Sequence, residues 1–214
     1  RCSSCVWSAC SIYGGNGIAR AFLDCGAEVH VWGTRASAQD YADSEGSDLR
    51  GLHYAQVDVS RRDAVQNATP TFARLDVLVL CQGTVLYKRG EFEAEGFRKV
   101  VEVNLNSLMD CSMKFFDMLK ASSGSLITVS STAAFHATRG NPAYNASKAG
   151  AVGLTRTLGQ AFEQGHALRK TYHAVVRGWP AEQGDEFEQV QRAAQAPEAL
   201  ALQLQHRDGQ RLDV

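Results

Sequence analysis

The chain has 214 residues, of which 44% are hydrophobic and 21% are charged, and its formal net charge at pH 7 is −1. That length allows a sizeable core, and the balanced composition argues against an intrinsically disordered chain. Without a basic excess to neutralise phosphates we expect no nucleic-acid partner, and without an apolar run of ~20 residues we expect no membrane span.

Four short apolar runs predict strands, at residues 27–32, 52–57, 75–81 and 125–130. The third run is apolar at every position except Asp76, which is typical of a parallel strand buried on both faces. Helical stretches separate the runs, and this alternation predicts βαβ units with right-handed crossovers. We therefore predict an α/β protein with a doubly wound parallel sheet, folded as a single domain over residues 1–214.

Two longer segments predict helices between the strands. Apolar residues recur at spacings of three and four over residues 91–120, with a break expected near Gly96, and again over residues 144–162. Each pattern gives an apolar stripe along one side of a helix. Helices of this kind are expected to pack against the predicted sheet.

Cysteines are distributed through the chain, at Cys2, Cys5, Cys10, Cys25, Cys81 and Cys111. The chain is long for a disulfide scaffold, so we interpret them as reduced thiols of a cytoplasmic protein. The amino-terminal residues also lack the charged-then-apolar order of a signal peptide. Cys2 and Cys5 have the spacing of half a zinc site, but no second pair follows at a fitting distance, and we expect no metal.

One group of residues indicates chemistry. Tyr144 and Lys148 are four positions apart, so they share one face if both lie on a helix. An ammonium group near a phenol stabilises the phenolate, which makes the phenol a suitable acid or base for a substrate oxygen. Ser131 ends a predicted buried strand, where such sheets bind ligands, and its hydroxyl can hold the same oxygen. For the spacing alone, a solvated surface pair is the alternative.

Four motifs follow one another along the chain: Leu-Asp-Val-Leu-Val-Leu-Cys-Gln-Gly from Leu75, Val-Asn-Leu-Asn from Val103, Ile-Thr-Val-Ser-Ser from Ile127 and Tyr-Asn-Ala-Ser-Lys-Ala-Gly from Tyr144. In these motifs the chain resembles the short-chain dehydrogenase/reductase family, most densely over residues 75–162. The resemblance implies a Rossmann-type fold, a nicotinamide cofactor and hydride transfer to or from a small alcohol or ketone. It also implies a homodimer or homotetramer.

The same resemblance implies roles for four residues. Tyr144 would be the catalytic acid and base, and Lys148 would tune it and hold the nicotinamide ribose. Ser131 would bind the reacting oxygen. Asn104 would match an asparagine in a distorted helix that supports a proton-relay water. Residues between Ser131 and Tyr144 would border the substrate, among them Phe135, His136, Thr138 and Asn141.

The cofactor end matches the family less well. Family members have a glycine-rich turn where the backbone approaches the pyrophosphate at a helix amino terminus. The candidate cofactor residues here are Gly14, Asn16, Gly17 and Ile18. Gly17 fits the middle glycine, whereas Tyr13 stands at the first and Ala19 at the last. A ring at that turn would narrow the path of the phosphates.

Three further positions bear on the cofactor. Asp58 matches the residue that binds the adenine amino group, and Gly83 is the glycine kept from the family's Asn-Ala-Gly motif. Arg35 follows the second strand, where NAD binders usually carry a carboxylate, and its guanidinium can meet the 2′-phosphate of NADP. We therefore predict NADP, with NAD as the alternative.

The carboxyl-terminal part departs from the family. Arg177 replaces the proline of a Pro-Gly pair beside the nicotinamide, and the substrate region, about residues 177–208, is short and atypical. The weaker patterns there predict a strand at 171–176, a helix at 185–205 and a last strand within 209–214. The alternative to an enzyme is therefore a catalytically weak or inactive relative that binds nucleotide or acts as an oligomeric scaffold.

Overall fold

The computed structural model describes residues 5–8, 14–42, 47–164, 172–175, 202–205 and 211–212. The strands are β1 Cys5–Ser8, β2 Val29–Gly33, β3 His53–Gln56, β4 Val77–Leu80, β5 Ser125–Thr128, β6 Tyr172–Val175, β7 Leu202–Gln205 and β8 Arg211–Leu212. The helices are α1 Gly14–Asp24, α2 Arg62–Asn67, α3 Ala94–Val101, α4 Ser107–Ser122 and α5 Pro142–Gln164.

The first five strands form one parallel sheet in the order β3-β2-β1-β4-β5. β1 lies at its centre, because Cys5 pairs with Val29 of β2 on one side and with Val77 of β4 on the other. The strand order reverses between β1 and β4, and the crevice at such a switch point is where these sheets bind ligands. The predicted Rossmann-type parallel sheet is confirmed. β1 was not predicted, because its four residues are too few for a periodic signal.

Apolar side chains cover both faces of this sheet. On one face Leu78 and Leu80 of β4 belong to a cluster that includes Phe115 of α4 and residues of α2 and α5. On the other face Val79 of β4 belongs to a second cluster with Ala19 of α1. Successive strand residues point to opposite faces, so β4 has to be apolar throughout, and this is the run that predicted it. Helices on both faces make the fold doubly wound.

The predicted helix at 91–120 is present but differs in two details. It begins at Ala94, after a 3-10 turn at Gly90–Phe92, and the predicted break near Gly96 is wrong because Gly96 lies within α3. A Cβ at Gly96 would lie 1.9 Å from the carbonyl oxygen of Gly90, so glycine lets the turn pack directly on the helix. The irregularity lies further on, where the π-helical segment Glu102–Asn106 joins α3 to α4.

A second sheet contains β6, β7 and β8 in that order. The strand predicted at 171–176 is confirmed as β6, and β8 lies within the predicted last strand. The helix predicted at 185–205 is wrong at its end, because Leu202–Gln205 forms β7, parallel to β6. Its Leu-Gln-Leu-Gln sequence alternates with the period of a strand. Residues 185–201 and Arg177 lie outside the described part of the chain.

Among the described residues, no helix is both long and apolar enough to cross a membrane. Cys25, Cys81 and Cys111 are not in disulfide bonds, and the Cys2 and Cys5 side chains lie outside the described residues. Cys111 is fully buried, and this burial raises the pKa of its thiol to about 12. Such a thiol stays protonated and unreactive at neutral pH.

Candidate active site

Tyr144 and Lys148 lie in the first turns of α5, which begins with Pro142 at a position where the fixed backbone angle of proline suits a helix. The two side chains share a face, as their spacing predicts, and Lys148 Nζ lies 5.7 Å from the centroid of the Tyr144 ring. That distance is within the range of a cation–π contact. The half-buried Tyr144 therefore has an ammonium group beside its ring.

Lys148 is buried, with 4% of its surface exposed. Its Nζ donates a hydrogen bond of 3.0 Å to the carbonyl oxygen of Val129, and its own carbonyl oxygen accepts one of 2.9 Å from Ser130 Oγ. Burial lowers the pKa of Lys148 from its ordinary value of 10.5, because it penalises the charged form. These bonds fix α5 to the chain just beyond β5.

Asn104 lies within the π-helical segment and is completely buried. Its Oδ1 accepts a 2.7 Å hydrogen bond from the backbone N–H of Thr84, and its Nδ2 donates to Thr84 O at 2.9 Å and to Ser147 Oγ at 3.1 Å. The side chain thus joins the loop after β4 to α5. A π-helical turn is the kind of distortion that the family resemblance implied at this asparagine, and such turns are frequent at functional sites.

Ser131 follows β5 and is half-buried. It caps the 3-10 turn Thr132–Ala134, and its Oγ accepts a 3.2 Å hydrogen bond from the N–H of Ala133. Asn145 fixes the same loop to α5, because its Nδ2 donates to Ala133 O at 2.8 Å and to His136 O at 2.5 Å. Asn145 was not predicted as a site residue from the sequence, although it follows Tyr144 directly.

Glu91, which was not predicted from the sequence, is completely buried. Its Oε2 accepts a 2.9 Å hydrogen bond from the backbone N–H of Tyr144, and its Oε1 accepts 3.1 Å bonds from Leu86 N and Asn141 Nδ2. A carboxylate at this place satisfies a free N–H at the start of α5 and complements the helix dipole. Glu91 therefore holds the backbone of Tyr144 in position, and no sequence pattern indicates that it is buried.

At the cofactor end, α1 begins at Gly14, and Tyr13 lies outside the described residues. Gly17 is exposed, and a Cβ there would meet nothing within 4 Å. Ile18 is 36% exposed. Asn16 donates a 2.6 Å hydrogen bond from Nδ2 to the carbonyl oxygen of Asp48, so its side chain is engaged with the loop before β3.

Arg35 and Asp58 both have contacts close to them in the chain. The Arg35 guanidinium lies 4.4 Å from the centroid of the Tyr41 ring and donates to the carbonyl oxygen of Asp40. Asp58 Oδ1 accepts hydrogen bonds of 3.0 Å from Ser60 N and 2.7 Å from Ser60 Oγ. These contacts hold each side chain near the carboxyl end of its strand.

The described residues around Lys148 fit the nicotinamide end of a nicotinamide cofactor. A Cβ on Gly83 would stand 3.5 Å from Lys148 Nζ and 3.8 Å from Asn104 Oδ1, so glycine leaves that side of the lysine uncovered. Among the described hydrogen bonds, Lys148 Nζ gives one of its three ammonium protons to Val129 O, which leaves donors for ribose hydroxyls. At the other end, the open space beside Gly17 suits a close approach by phosphate.

Comparison with known proteins agrees with this fold. The sequence profile of the family described as short chain dehydrogenase matches residues 14–167. The chain therefore belongs to the short chain dehydrogenase family, and the resemblance found in its motifs is confirmed.

Two curated relatives illustrate the range of the family. The chain is similar to 3-oxoacyl-[acyl-carrier-protein] reductase FabG of Chlamydia muridarum (strain MoPn / Nigg), with 32% identity over 158 residues that cover 67% of this chain and 61% of that protein. It is also similar to 2-dehydro-3-deoxy-L-rhamnonate dehydrogenase (NAD(+)) of Sphingomonas sp. (strain SKA58), with 27% identity over 153 residues, 68% of this chain and 60% of that protein. The chain thus spans less than two thirds of the length of either relative.

A solved structure matches over its whole length. The X-ray structure of an alcohol dehydrogenase from the archaeon Thermococcus sibiricus, complexed with 5-hydroxy-NADP, has a TM-score of 0.69 and 21% sequence identity, and the match covers 100% of both chains. At this identity the likeness shows a shared fold.

Proposed function

We propose that this protein is an oxidoreductase that transfers a hydride between NADP(H) and a secondary alcohol or ketone. The observation that carries the proposal is the buried Lys148 ammonium, which lies 5.7 Å from the Tyr144 ring centroid and near the carboxyl ends of the strands in the five-stranded sheet. Burying the charged ammonium of Lys148 costs free energy, and such a cost is typical of a functional group rather than of a solvated surface pair.

Each of the four candidate catalytic residues has a role that suits its surroundings. Ser131 Oγ orients the reacting oxygen, and the Tyr144 hydroxyl gives a proton to that oxygen during reduction or removes it during oxidation. Lys148 stabilises the negative charge that develops on the Tyr144 oxygen. Asn104 keeps the loop after β4 at a fixed distance from α5 and supports the relay of that proton to solvent.

The cofactor, when bound, supplies the hydride chemistry, and the chain supplies binding and orientation. The residues proposed to hold it are Gly14, Asn16, Gly17, Ile18, Arg35, Asp58, Gly83, Tyr144 and Lys148. We propose NADP because Arg35 offers a guanidinium at the end of β2, and a structural neighbour is complexed with 5-hydroxy-NADP. NAD is the alternative, and one curated relative is named for it.

We also propose that the protein forms a homodimer or homotetramer through α3, α4 and α5. Large apolar side chains are partly exposed there, with 39% of Phe97, 41% of Met109 and 50% of Met113 accessible. A second copy of the chain would cover them. We further propose one domain over residues 1–214, a substrate region at about 177–208 and, because Cys25, Cys81 and Cys111 are not in disulfide bonds, a cytoplasmic location.

A second candidate function is an inactive relative that binds nucleotide or acts as a scaffold. It is favoured by the cofactor end, where Asn16 is engaged with Asp48 O, Asp58 Oδ1 is engaged with Ser60, and the sequence has Tyr13 at an expected glycine. The complete set of Asn104, Ser131, Tyr144 and Lys148 opposes it.

Titration of the full chain with NADPH and with NADH, followed by nicotinamide fluorescence, separates the two candidates. The enzyme hypothesis predicts saturable binding, with NADPH bound more tightly than NADH. Absence of binding of either cofactor at millimolar concentration would exclude the proposed activity for this chain. Tighter binding of NADH would keep the activity but refute the choice of NADP.

A further inference from the structure

Three side chains that can bind a metal ion meet at the amino ends of β2 and β3. Tyr144 lies at the opposite end of the strands, beyond their carboxyl ends. Glu28 and His30 are two positions apart, so they lie on the same face of the sheet. His53, the first residue of β3, is the register partner of His30. The fold thus brings together ligands that the sequence separates.

The geometry of this Glu28–His30–His53 cluster is close to that of a metal site. Glu28 Oε1 lies 2.8 Å from His30 Nε2 and 3.8 Å from His53 Nε2, and the three ligand atoms all lie within 4.8 Å of one another. Zinc takes nitrogen and oxygen ligands at ~2.0–2.2 Å, so two tetrahedral ligand atoms stand about 3.4 Å apart. To reach that spacing, the 2.8 Å pair of Glu28 and His30 has to open and the His53 ring has to turn, and both Glu28 and His53 are exposed side chains.

The surroundings of His30 fix the orientation of its ring. Only 6% of its side chain is exposed, and the ring packs 4.7 Å from that of Phe72 and 4.6 Å from that of His53. His30 Nδ1 lies 3.4 Å from Thr71 Oγ1. When Nδ1 donates its proton to that hydroxyl, the Nε2 lone pair faces Glu28, and a histidine that binds a metal likewise donates its other ring N–H to a fixed acceptor.

The remaining two ligands leave the cluster open to solvent. The side chain of Glu28 is 46% exposed and that of His53 is 59% exposed. An ion can therefore enter from water, with His30 as the fixed ligand and the other two closing on it. Three protein ligands leave a fourth tetrahedral position for water.

We propose that Glu28, His30 and His53 bind a divalent transition-metal ion of the zinc type. Two imidazoles and one carboxylate suit such an ion, whereas magnesium and calcium prefer oxygen ligands alone. The ion replaces the proton that His30 Nε2 otherwise shares with Glu28 and links β2 to β3. This site is independent of the proposed oxidoreductase activity, because its residues lie at the other end of the strands.

The test is titration of the tag-free, chelator-treated full chain with Zn²⁺ in competition with a chromophoric chelator. We expect one equivalent to bind to the wild type and to raise its melting temperature. The variants His53→Gln and Glu28→Gln should each lose at least about tenfold in affinity, since even removal of an outer partner costs that much. Both changes are at exposed side chains, so circular dichroism should show an unchanged fold.

Two controls decide which residues bind the ion. Glu95→Gln alters a carboxylate that is 90% exposed on α3, and the double variant Cys2→Ser, Cys5→Ser removes the thiol pair. Both controls should keep the affinity of the wild type. Failure of the wild type to bind Zn²⁺, unchanged affinity in both cluster variants, or loss only in the cysteine variant would overturn the proposal.

Discussion

The two ends of the proposed active site are built differently. Around Tyr144, buried polar groups reach across the fold, as Glu91 does to α5 and Asn104 does to both Thr84 and Ser147. At the cofactor end, Asn16 donates to Asp48 O, 32 positions away, but the side chains of Arg35 and Asp58 bond to Asp40 and Ser60, close to them in the chain. The catalytic end is therefore held by buried tertiary hydrogen bonds, whereas two of the candidate cofactor side chains are held by neighbouring residues. Substitutions should affect stability at the first end and cofactor preference at the second.

The largest effect is expected at Glu91. Glu91→Ala leaves the N–H groups of Leu86 and Tyr144 and the amide of Asn141 without their buried acceptor, and each such group costs ~1–3 kcal/mol. We expect the free energy of unfolding, measured with urea, to fall by about 3 kcal/mol or more. Glu95→Ala, at an exposed site on α3, should change it by less than ~0.5 kcal/mol. Equal stability of the two variants would refute the positioning role of Glu91.

A smaller loss of stability is expected at Asn104. Asn104→Ala removes three buried hydrogen bonds and should lower the free energy of unfolding by about 2 kcal/mol. The matched control is Asn106→Ala, because Asn106 is exposed and its described side-chain hydrogen bond goes to Glu102 on its own helix. The difference in the free energy of unfolding between the two variants measures how much more the buried hydrogen bonds of Asn104 stabilise the fold than the exposed bond of Asn106 does. If Asn106→Ala lowers the free energy of unfolding as much as Asn104→Ala does, Asn104 does not join the loop after β4 to α5 as proposed.

The cofactor end should respond through affinity instead. Arg35→Ser should weaken NADPH binding about tenfold, or ~1.4 kcal/mol, and leave NADH binding unchanged, because only NADPH carries the 2′-phosphate. Nicotinamide fluorescence measures both constants. Arg62→Ser, at a largely exposed site on α2, serves as the control and should alter neither. An equal loss for both cofactors would show that Arg35 does not distinguish them.

The last expected effect is a dependence of stability on pH. Burial lowers the pKa of Lys148 below 10.5, so between the two pKa values the unfolded chain binds more protons than the folded chain. The cost of burying the charge is complete below the folded pKa and is relieved as pH rises toward 10.5. The free energy of unfolding of the wild type minus that of Lys148→Met should therefore increase with pH through that window.

A matched control isolates this titration. Lys120→Met removes an exposed lysine in the last turn of α4. The free energy of unfolding of the wild type minus that of Lys120→Met should stay constant over the same pH range. Urea unfolding at several pH values measures both differences. A flat or falling difference for Lys148→Met would contradict the burial of a charged lysine at this site.

The fold was predictable wherever burial of an element produces a regular spacing of apolar residues along the sequence. β4 was predicted because both of its faces are covered, and α5 because its apolar stripe repeats over many turns. A distortion at Asn104, where the structure has the π-helical segment Glu102–Asn106, was implied by the family resemblance alone, because apolar spacings of three and four continue through the segment. β7 was mistaken for helix because its composition resembles the Gln- and Ala-rich residues before it.

The candidate site was predictable only in part. Tyr144, Lys148, Ser131 and Asn104 were predicted because they stand in motifs, and their roles remain proposals. Glu91 was missed because burial of a single carboxylate depends on contacts with residues far along the chain. The Glu28–His30–His53 cluster was missed for the same reason, since strand register alone brings His53 beside His30.

The central claim is that Tyr144 is the acid of a carbonyl reduction. The most direct measurement is the rate of NADPH consumption with a panel of ketones for the wild type, Tyr144→Phe and Tyr87→Phe, the last being a change at a tyrosine that is 74% exposed. We expect the wild type and Tyr87→Phe to turn over at the same rate and Tyr144→Phe to lose at least about 100-fold. Equal turnover by Tyr144→Phe and the wild type would contradict the account.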